Sequence, residues 1–168
     1  MGIEKKQSGF ERATHDFGPY FNSDSRILVL GSFPSIKSRE VGFYYGHPTN
    51  RFWRLIERKF GLERLSSIEE KKNACREHGI ALYDVIDSCL IHKSSDASIK
   101  EVVPTNLSSV LSQAHIRRII LNGGQAARLF LLYFPELKDI AIALPSTSAA
   151  NAGISFDSLC EKWFKYLD

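Results

Sequence analysis

Short apolar runs alternate with amphipathic stretches along most of this 168-residue chain. The apolar runs are rich in branched residues, as buried strands are, and they cover residues 26–30, 80–86, 117–121 and 139–143. Elsewhere apolar residues recur at three- and four-residue steps or follow capping residues, which predicts helices over residues 51–60, 67–78, 106–114, 125–134 and 156–167. The predicted order is therefore a strand, two helices and then a series of strand–helix units.

This alternation predicts an α/β fold in which one parallel sheet is covered by helices on both faces. The length suits a single domain over residues 1–168 that buries about 70% of its unfolded surface. Residues 1–25 are polar and mixed, and we expect an N-terminal arm whose second half docks through Phe17 and Tyr20. Residues 88–105 are predicted to be a polar connection, in which the run from His92 to Asp96 either touches a DNA backbone or touches nothing.

The connection between the first strand and the first predicted helix is unusually long. About twenty residues separate them, whereas about two to six are common in compact domains. The connection carries Phe33, Tyr44 and Tyr45 together with glycines and a His47-Pro48 pair. Because aromatic rings seek burial or a flat partner, the composition suits a pocket for a planar ring, and an aromatic-lined core loop is the alternative. Ligands often bind at such a place, beyond the carboxyl end of a strand.

Asn50 stands directly before the first predicted helix and has two interpretations. Asn is a preferred N-cap, worth about 1 kcal/mol through a bond to an early helical amide. It is also an amide that a pocket can use. Asp84 and Asp87 raise a similar question, since they follow an apolar run closely; each is a possible general base, and we interpret them as loop-capping or pocket-wall residues.

A second polar loop, residues 144–153, follows the last predicted strand. Its hydroxyl residues Ser146, Thr147 and Ser148 and their backbone amides are suitable donors for phosphate oxygens. If the sheet is parallel, this loop and the long connection both leave carboxyl ends of strands and can share one cleft.

The charge of the chain permits nucleic-acid binding without requiring it. The formal net charge is +3 and the pI is about 8.8. Basic residues cluster at Arg51, Arg54, Arg58, Lys59 and Arg64, with Glu57 and Glu63 as the acids among them. Such a cluster gives phosphate contacts without sequence preference, or it is simply a solvated helix face.

Other features narrow the class of protein. The composition, 43% hydrophobic and 24% charged, is typical of a soluble globular protein, and no stretch approaches the roughly 20 apolar residues of a membrane span. We expect an intracellular protein. Cys75, Cys89 and Cys160 are widely spaced, which predicts buried thiols, with neither a disulfide framework nor a metal site.

Two separated motifs carry a family resemblance. Leu30-Gly31-Ser32-Phe33-Pro34-Ser35 is followed by Tyr45-Gly46-His47-Pro48-Thr49-Asn50-Arg51-Phe52-Trp53, and Leu144-Pro145-Ser146-Thr147-Ser148 lies far downstream. Together they resemble the uracil-DNA glycosylase superfamily, and within it the hypoxanthine-DNA (deoxyinosine) glycosylases of family six. The resemblance runs from about His15 to the C-terminus. It implies a three-layer α/β/α sandwich on a four-stranded parallel sheet.

The resemblance also implies roles for residues. Phe33 occupies the slot that commonly holds a catalytic Asp or Asn, and a phenyl ring cannot do that work. The role passes to Asn50, which would orient the attacking water through its amide oxygen or bond to the purine edge. The base-stacking position is Tyr45, with Phe33 and Tyr44 as further walls, and His47 is either a donor to the departing base or a partner in a turn. The expected DNA contacts are Ser32, Pro34, Ser35, Arg51, Ser146, Thr147 and Ser148.

The expected activity is hydrolysis of the N-glycosidic bond of hypoxanthine in DNA by base flipping. The expected partner is DNA that contains deaminated bases, with no metal, no cofactor and no membrane, and with the protein acting as a monomer. The family pattern has Pro after the third hydroxyl of the second motif, where this chain has Ala149, which puts the stiffness of that loop in question. The alternatives are a mismatch-specific uracil or thymine glycosylase and a nucleic-acid-binding module without activity.

Overall fold

A computed structural model of the chain describes residues 9–92 and 98–168. The strands are β1 (Glu11–Thr14), β2 (Ile27–Gly31), β3 (Ile80–Asp84), β4 (Ile86–Ile91), β5 (Lys100–Pro104), β6 (Arg118–Asn122) and β7 (Ala141–Leu144). The helices are α1 (Ile36–Val41), α2 (Phe52–Phe60), α3 (Ile68–Glu77), α4 (Ser108–Leu111), α5 (Gly124–Tyr133) and α6 (Phe156–Phe164), and a 3₁₀ helix spans Pro135–Ile140.

The apolar runs form a four-stranded parallel sheet with the strand order β3-β2-β6-β7. All five residues of β2 and of β3 are buried, which explains why their sequences are continuous rather than alternating. The predicted parallel sheet with flanking helices is thus confirmed. From β2 the chain continues to β3 on one side of the sheet and then crosses to β6 on the other side. The connections therefore diverge between β2 and β6, and a crevice opens beyond the carboxyl ends of these two strands.

Local signals set the helix ends. Ser67 caps α3 by accepting the Glu70 amide at 3.1 Å, while the Glu70 carboxylate accepts the Ser67 amide at 3.1 Å, which is the predicted capping box. Helix α2 stops at Gly61, whose φ of 64° is left-handed. The three cysteines are buried and form no disulfide within the described residues, and burial raises the pKa of the Cys75 thiol to about 12.

A second sheet is the main departure from the sequence prediction. Strands β1, β4 and β5 form an antiparallel sheet with β4 in the middle. The prediction that residues 88–105 are a polar connection is therefore wrong, although residues 93–97, which include most of the run expected near DNA, lie outside the described residues. Chain passes from β3 to β4 through Val85 alone, so the two sheets meet at the end of β3.

The N-terminal arm is more firmly attached than predicted. β1 pairs with β4 in the register Thr14↔Ser88, and Tyr20 forms an antiparallel bridge with Leu82 on the edge of the parallel sheet. Phe17 and Tyr20 pack against the core, as expected for the second half of the arm. The long connection after β2 also contains a helix, α1, which the sequence analysis did not predict; Ser35 caps it by accepting the Ser38 amide at 3.1 Å. Among the described helices, none has the length and apolar character needed to span a membrane.

Candidate active site

A cavity of about 560 Å³ lies beyond the carboxyl ends of the parallel strands. This volume is within the range of small-molecule sites, about 300–1,000 Å³. The long connection after β2 and the loop after β7 both contribute to the wall, as predicted for loops that share one cleft. Of the predicted site residues, all but Arg51 line it: Ser32, Phe33, Pro34, Ser35, Tyr44, Tyr45, His47, Asn50, Ser146, Thr147 and Ser148.

Asn50 lines the cavity, and its amide oxygen is hydrogen-bonded within the protein. Its Oδ1 accepts the Phe52 amide at the start of α2 at 2.9 Å, and it also accepts the Thr147 hydroxyl at 2.9 Å. Backbone geometry places the N-cap at Arg51, but the amide oxygen still satisfies a helix donor. Because both lone pairs of the oxygen are engaged, it has no capacity left to orient water. The group with free capacity is the Nδ2 amide, to which no described residue is hydrogen-bonded.

Thr147 is fully buried and its side chain is engaged within the protein, so its contact with phosphate stays a prediction. Its hydroxyl accepts the Asn122 Nδ2 at 3.0 Å while it donates to Asn50, and its amide donates to the Asn122 Oδ1 at 2.9 Å. Asn122, at the end of β6, lines the cavity and was not among the predicted site residues. The three side chains form one hydrogen-bonded unit that joins the two loops, which we name the amide cluster.

Arg51 is not among the residues that line the cavity, and its contact with phosphate stays a prediction. Its guanidinium donates to the carbonyl oxygens of Ile154 at 2.7 Å, Ser148 at 3.1 Å and Asn151 at 3.1 Å. The amide of Arg51 donates to the Thr147 carbonyl at 2.9 Å. A loop that turns its carbonyls inward needs donors, and this side chain supplies them. Arg51 therefore holds the second loop in place.

His47 and the remaining polar residues lie nearer the mouth. The exposed His47 accepts the Thr49 amide at its Nδ1 at 3.2 Å, so the neutral ring carries its hydrogen on Nε2, where it can be donated. Ser146 and Ser148 are half-buried, and their hydroxyl oxygens each accept a loop amide, those of Ser148 and Ala150. No described residue accepts their hydroxyl hydrogens, which can therefore be donated to a ligand.

Aromatic side chains form one wall. Phe33 and Tyr44 are buried, and Tyr45 is half-buried with its ring centroid 4.3 Å from that of Phe52. Tyr45 has a φ of 53°, a left-handed conformation that is costly for a residue with a side chain. Phe33 lies under the Arg39 guanidinium at 5.5 Å and is no substitute for a polar catalytic group.

The floor of the cavity holds a buried carboxylate, Asp84, which the sequence analysis considered as a general base and interpreted as a loop-capping or pocket-wall residue. Asp84, at the end of β3, is 3% exposed and lines the cavity, whereas Asp87 is exposed and does not line it. The Asp84 Oδ2 lies 2.8 Å from the Nε2 of His15, whose side chain is 1% exposed. His15 was not predicted; the one available signal for the pair was an acidic residue ending an apolar run.

The predicted basic cluster divides into engaged and available cations. Arg58 pairs with Asp157 and Lys59 with Asp168, in addition to the engagement of Arg51. A second hollow of about 530 Å³ adjoins the cavity through Tyr45, His47 and Asn50, and its lining includes the cations of Arg54, Arg64 and Lys71 with Glu57 as the acid. Burial lowers the pKa of the Lys71 amine. Positive charge is thus concentrated beside the cavity.

Comparison with known proteins defines the class. A solution NMR structure of a candidate uracil DNA glycosylase from Methanosarcina acetivorans superimposes with a TM-score of 0.74 at 30% identity, over 90% of this chain and 96% of that one. The family model of the Uracil DNA glycosylase superfamily matches residues 19–167. The chain belongs to the uracil DNA glycosylase superfamily, with its three-layer fold on a four-stranded parallel sheet.

Two relatives carry more specific names. A hypoxanthine DNA glycosylase of Methanosarcina acetivorans is 32% identical over 144 residues, which is 83% of this chain and 89% of that protein. A hypoxanthine DNA glycosylase of Methanosarcina barkeri is 31% identical over 141 residues, 80% of this chain and 86% of that protein. The resemblance noted in the sequence is confirmed by both.

Proposed function

We propose that the chain is a DNA glycosylase that hydrolyses the N-glycosidic bond of hypoxanthine in DNA. The observation that carries the proposal is a single cavity at the end of the parallel sheet that combines an aromatic wall, a free amide NH₂ and a buried carboxylate. The similarity to two proteins named hypoxanthine DNA glycosylase supports the choice of base.

A base inside a duplex cannot reach such a cavity without leaving the stack. Extrusion costs a few kcal/mol and least for a mismatched base. Hypoxanthine, formed from adenine, pairs poorly with thymine and meets this condition. In the cavity the ring stacks on Tyr45, which Phe52 supports from behind, with Phe33 and Tyr44 completing the wall.

The exposure of the lining residues decreases from the mouth of the cavity to its floor, and this difference determines how the nucleotide is oriented. The sugar and phosphates stay at the mouth, near the exposed His47 and Thr49, while the far edge of the base meets the most buried groups. Asp84 is the acidic residue among the described lining residues, and its carboxylate accepts the N1–H of hypoxanthine. Adenine carries a lone pair at the same ring nitrogen, which a carboxylate repels. Uracil also has an imide N–H, and therefore uracil-containing DNA belongs in any test of the base range.

Asn50 acts through its Nδ2 in this mechanism. Water attacks C1′ of the sugar, the C1′–N9 bond breaks, and its electron pair passes to the base, which leaves as negative charge develops on it. An amide N–H aimed at the departing base stabilises that charge in a site that is already organised. The water's proton passes to solvent and the departing base takes up a proton from solvent, so the products are free hypoxanthine and an abasic site. Positioning of the water and base supplies the remainder of the acceleration.

Phosphate contacts come from the residues that the fold leaves available. The hydroxyls of Ser146 and Ser148 lie at the mouth, with Ser32 and Ser35 on the facing loop. The adjoining basic hollow, with Arg54, Arg64 and Lys71, suits the strand that flanks the extruded nucleotide.

The test is single-turnover cleavage, with protein in excess, of otherwise identical duplexes that contain hypoxanthine, uracil or xanthine. Wild type should cleave the hypoxanthine duplex fastest. Asn50→Ala and Asn50→Asp should both slow cleavage by about 10²–10³-fold, although Asn50→Asp retains the oxygen that accepts the Phe52 amide. Intact hypoxanthine duplex with wild type would refute the enzyme. Normal cleavage by Asn50→Asp would refute the role of the Nδ2 amide, and faster cleavage of uracil would make this a uracil glycosylase.

A further inference from the structure

The hydrogen bond between His15 and Asp84 connects the N-terminal strand to the floor of the cavity. His15 follows β1 directly, and its amide donates to the Asp87 carbonyl at 2.7 Å, continuing the ladder with β4. That register turns the imidazole toward Asp84, whose Oδ2 lies 2.8 Å from Nε2. Rings of Phe17, Tyr44 and Tyr83 surround the imidazole at centroid distances of 4.7, 5.8 and 5.4 Å. A residue of the arm is thus fixed beside the base site.

The two oxygens of the Asp84 carboxylate have different surroundings. Oδ2 is bonded to His15, whereas Oδ1 lies over Gly31, 2.5 Å from where a Cβ would stand, and no described residue donates to it. Asp84 is a cavity-lining residue. Gly31 also lines the cavity, and we therefore assign Oδ1, the oxygen beside it, to the base site.

The surroundings of the imidazole assign its hydrogen. Nδ1 is buried and has no hydrogen-bond partner within residues 9–92 and 98–168. A hydrogen on Nδ1 would be an unsatisfied buried donor, which is costly. The neutral ring with its hydrogen on Nε2 avoids that cost and makes His15 the donor and Asp84 the acceptor.

We propose that His15 is a positioning residue that keeps Asp84 an ionised acceptor, and that this pair makes the cavity reject adenine. The inference rests on the proposed function. An ionised carboxylate accepts the N1–H of hypoxanthine and opposes the N1 lone pair of adenine. A protonated carboxyl would instead donate to that lone pair and admit the undamaged base. The geometric basis is the Nε2 of His15, which lies 2.8 Å from Oδ2, because a hydrogen bond donated to a carboxylate oxygen stabilises its negative charge.

Within the described part of the chain, few other titratable groups face Asp84. They are the hydroxyls of Tyr44 and Tyr45 from the long connection and that of Tyr83 from β3, beyond which lies the exposed Asp87. Burial, with a contribution from the charge of Asp84, raises the pKa of all three tyrosines. They stay protonated near neutral pH, so a change in pH dependence on removing His15 reports on Asp84.

The experiment compares His15→Phe, which keeps a ring without an N–H, with His15→Gln, which keeps a donor. An exposed histidine away from the cavity provides the control, His115→Gln. Single-turnover excision of hypoxanthine is measured from about pH 6 to 9, together with inhibition by free hypoxanthine and free adenine. His15→Phe should lose roughly tenfold in rate at the acidic end relative to the alkaline end, beyond any change in wild type, and its preference for hypoxanthine over adenine should fall roughly tenfold there. His15→Gln and His115→Gln should follow wild type.

Further variants and a direct probe make the test decisive. Adding Asp84→Asn to His15→Phe should abolish the new pH dependence; if the dependence persists, another group causes it and the inference fails. A folded His15→Phe protein with the wild-type profile and base preference also overturns it. Should His15→Phe not fold, His15→Leu replaces it with the same two expectations. The ¹⁵N shifts of the wild-type imidazole report the Nε2–H donor without any reaction, and a hydrogen on Nδ1 alone would contradict the proposal. Wild type that leaves hypoxanthine DNA intact refutes the proposed function instead.

Discussion

Two hydrogen-bonded groups border the cavity, and they differ in what they join and in what they leave free. The amide cluster of Asn50, Asn122 and Thr147 joins the two loops and leaves an amide donor. The pair of His15 and Asp84 joins the two sheets and leaves a carboxylate oxygen as acceptor. A lactam edge presents both a carbonyl and an N–H, so a site that reads it needs one group of each kind.

The comparison also shows where polar residues of functional loops are used. Around the amide cluster, the side chains that could donate to phosphate are instead hydrogen-bonded to loop carbonyls or to one another. Arg51 and the buried Thr147 are examples. Around the pair of His15 and Asp84, the neighbouring side chains are aromatic rings. The strong polar interaction there is the hydrogen bond between the two residues.

Arg51→Ala should have the largest effect on stability. It removes donors from the carbonyls of Ile154, Ser148 and Asn151, and we expect the free energy of unfolding in urea to fall by about 3 kcal/mol. Arg54→Ala is the matched control, because Arg54 is exposed and lies over the Phe156 ring. It should change stability by no more than about 0.5 kcal/mol and lower the salt dependence of DNA binding by about one unit of slope. If Arg51→Ala left stability unchanged and lowered the salt dependence of DNA binding, Arg51 would be a phosphate contact.

Gly31→Ala tests the pair of His15 and Asp84 by steric pressure, because it removes no hydrogen-bonding group. A Cβ at Gly31 would lie 2.5 Å from the Asp84 Oδ1 and 3.5 Å from the Tyr45 hydroxyl oxygen. The carboxylate must shift, so we expect a loss of about 2 kcal/mol in unfolding free energy and slower excision. Gly153→Ala adds a methyl in open space and should be neutral in both assays. Full activity of Gly31→Ala would show that the position of the carboxylate is unimportant.

The sequence predicted the parallel sheet well because each of its strands is defined locally. The run Ile27–Gly31 is entirely buried and needs no partner to be recognised. The antiparallel sheet has no comparable signal: only Ala13 is buried in β1, and β1 pairs with β4 across a long separation in sequence. β5 is largely exposed and gives no clear alternation.

The same distinction applies to the site. Motifs placed Asn50 and the loop hydroxyls at one cleft, but they could not show which of these groups would be buried by the need to satisfy loop carbonyls. His15 has no local signal, because its role depends on the register of β1 beside β4. The position of Asp84 at the site could be predicted, since a carboxylate that ends a buried strand must lie at the edge of the sheet where ligands bind.

Thr147→Val should have a smaller effect, confined to the amide cluster. The two side chains have similar shape, but valine cannot donate to Asn50 or accept from Asn122. We expect a loss of about 1.5 kcal/mol in unfolding free energy and slower excision, since the Asn50 amide loses one of its supports. Thr147→Ser keeps the hydroxyl and should recover most of the activity. If valine is tolerated in both assays, Thr147 does not orient Asn50.

Tyr44→Phe should have the smallest effect at neutral pH and a distinctive one at high pH. Its hydroxyl donates to the Gly18 carbonyl at 3.0 Å, so the variant should lose about 1 kcal/mol in unfolding free energy. Burial, and then the charge of Asp84, raises the pKa of Tyr44. Above the ordinary tyrosine pKa of about 10, the unfolded chain loses a proton that the folded chain retains, and wild type therefore loses stability as pH rises.

The variant has no such proton to retain, so the two stability curves should approach and cross at about pH 11. The other buried tyrosines are present in both proteins and cancel in the difference. Urea unfolding at intervals from neutral to about pH 11 measures both curves, provided each transition remains reversible. Parallel curves would mean that Tyr44 ionises normally in the fold, and the aromatic enclosure around His15 and Asp84 would then be far wetter than the burial of these side chains indicates.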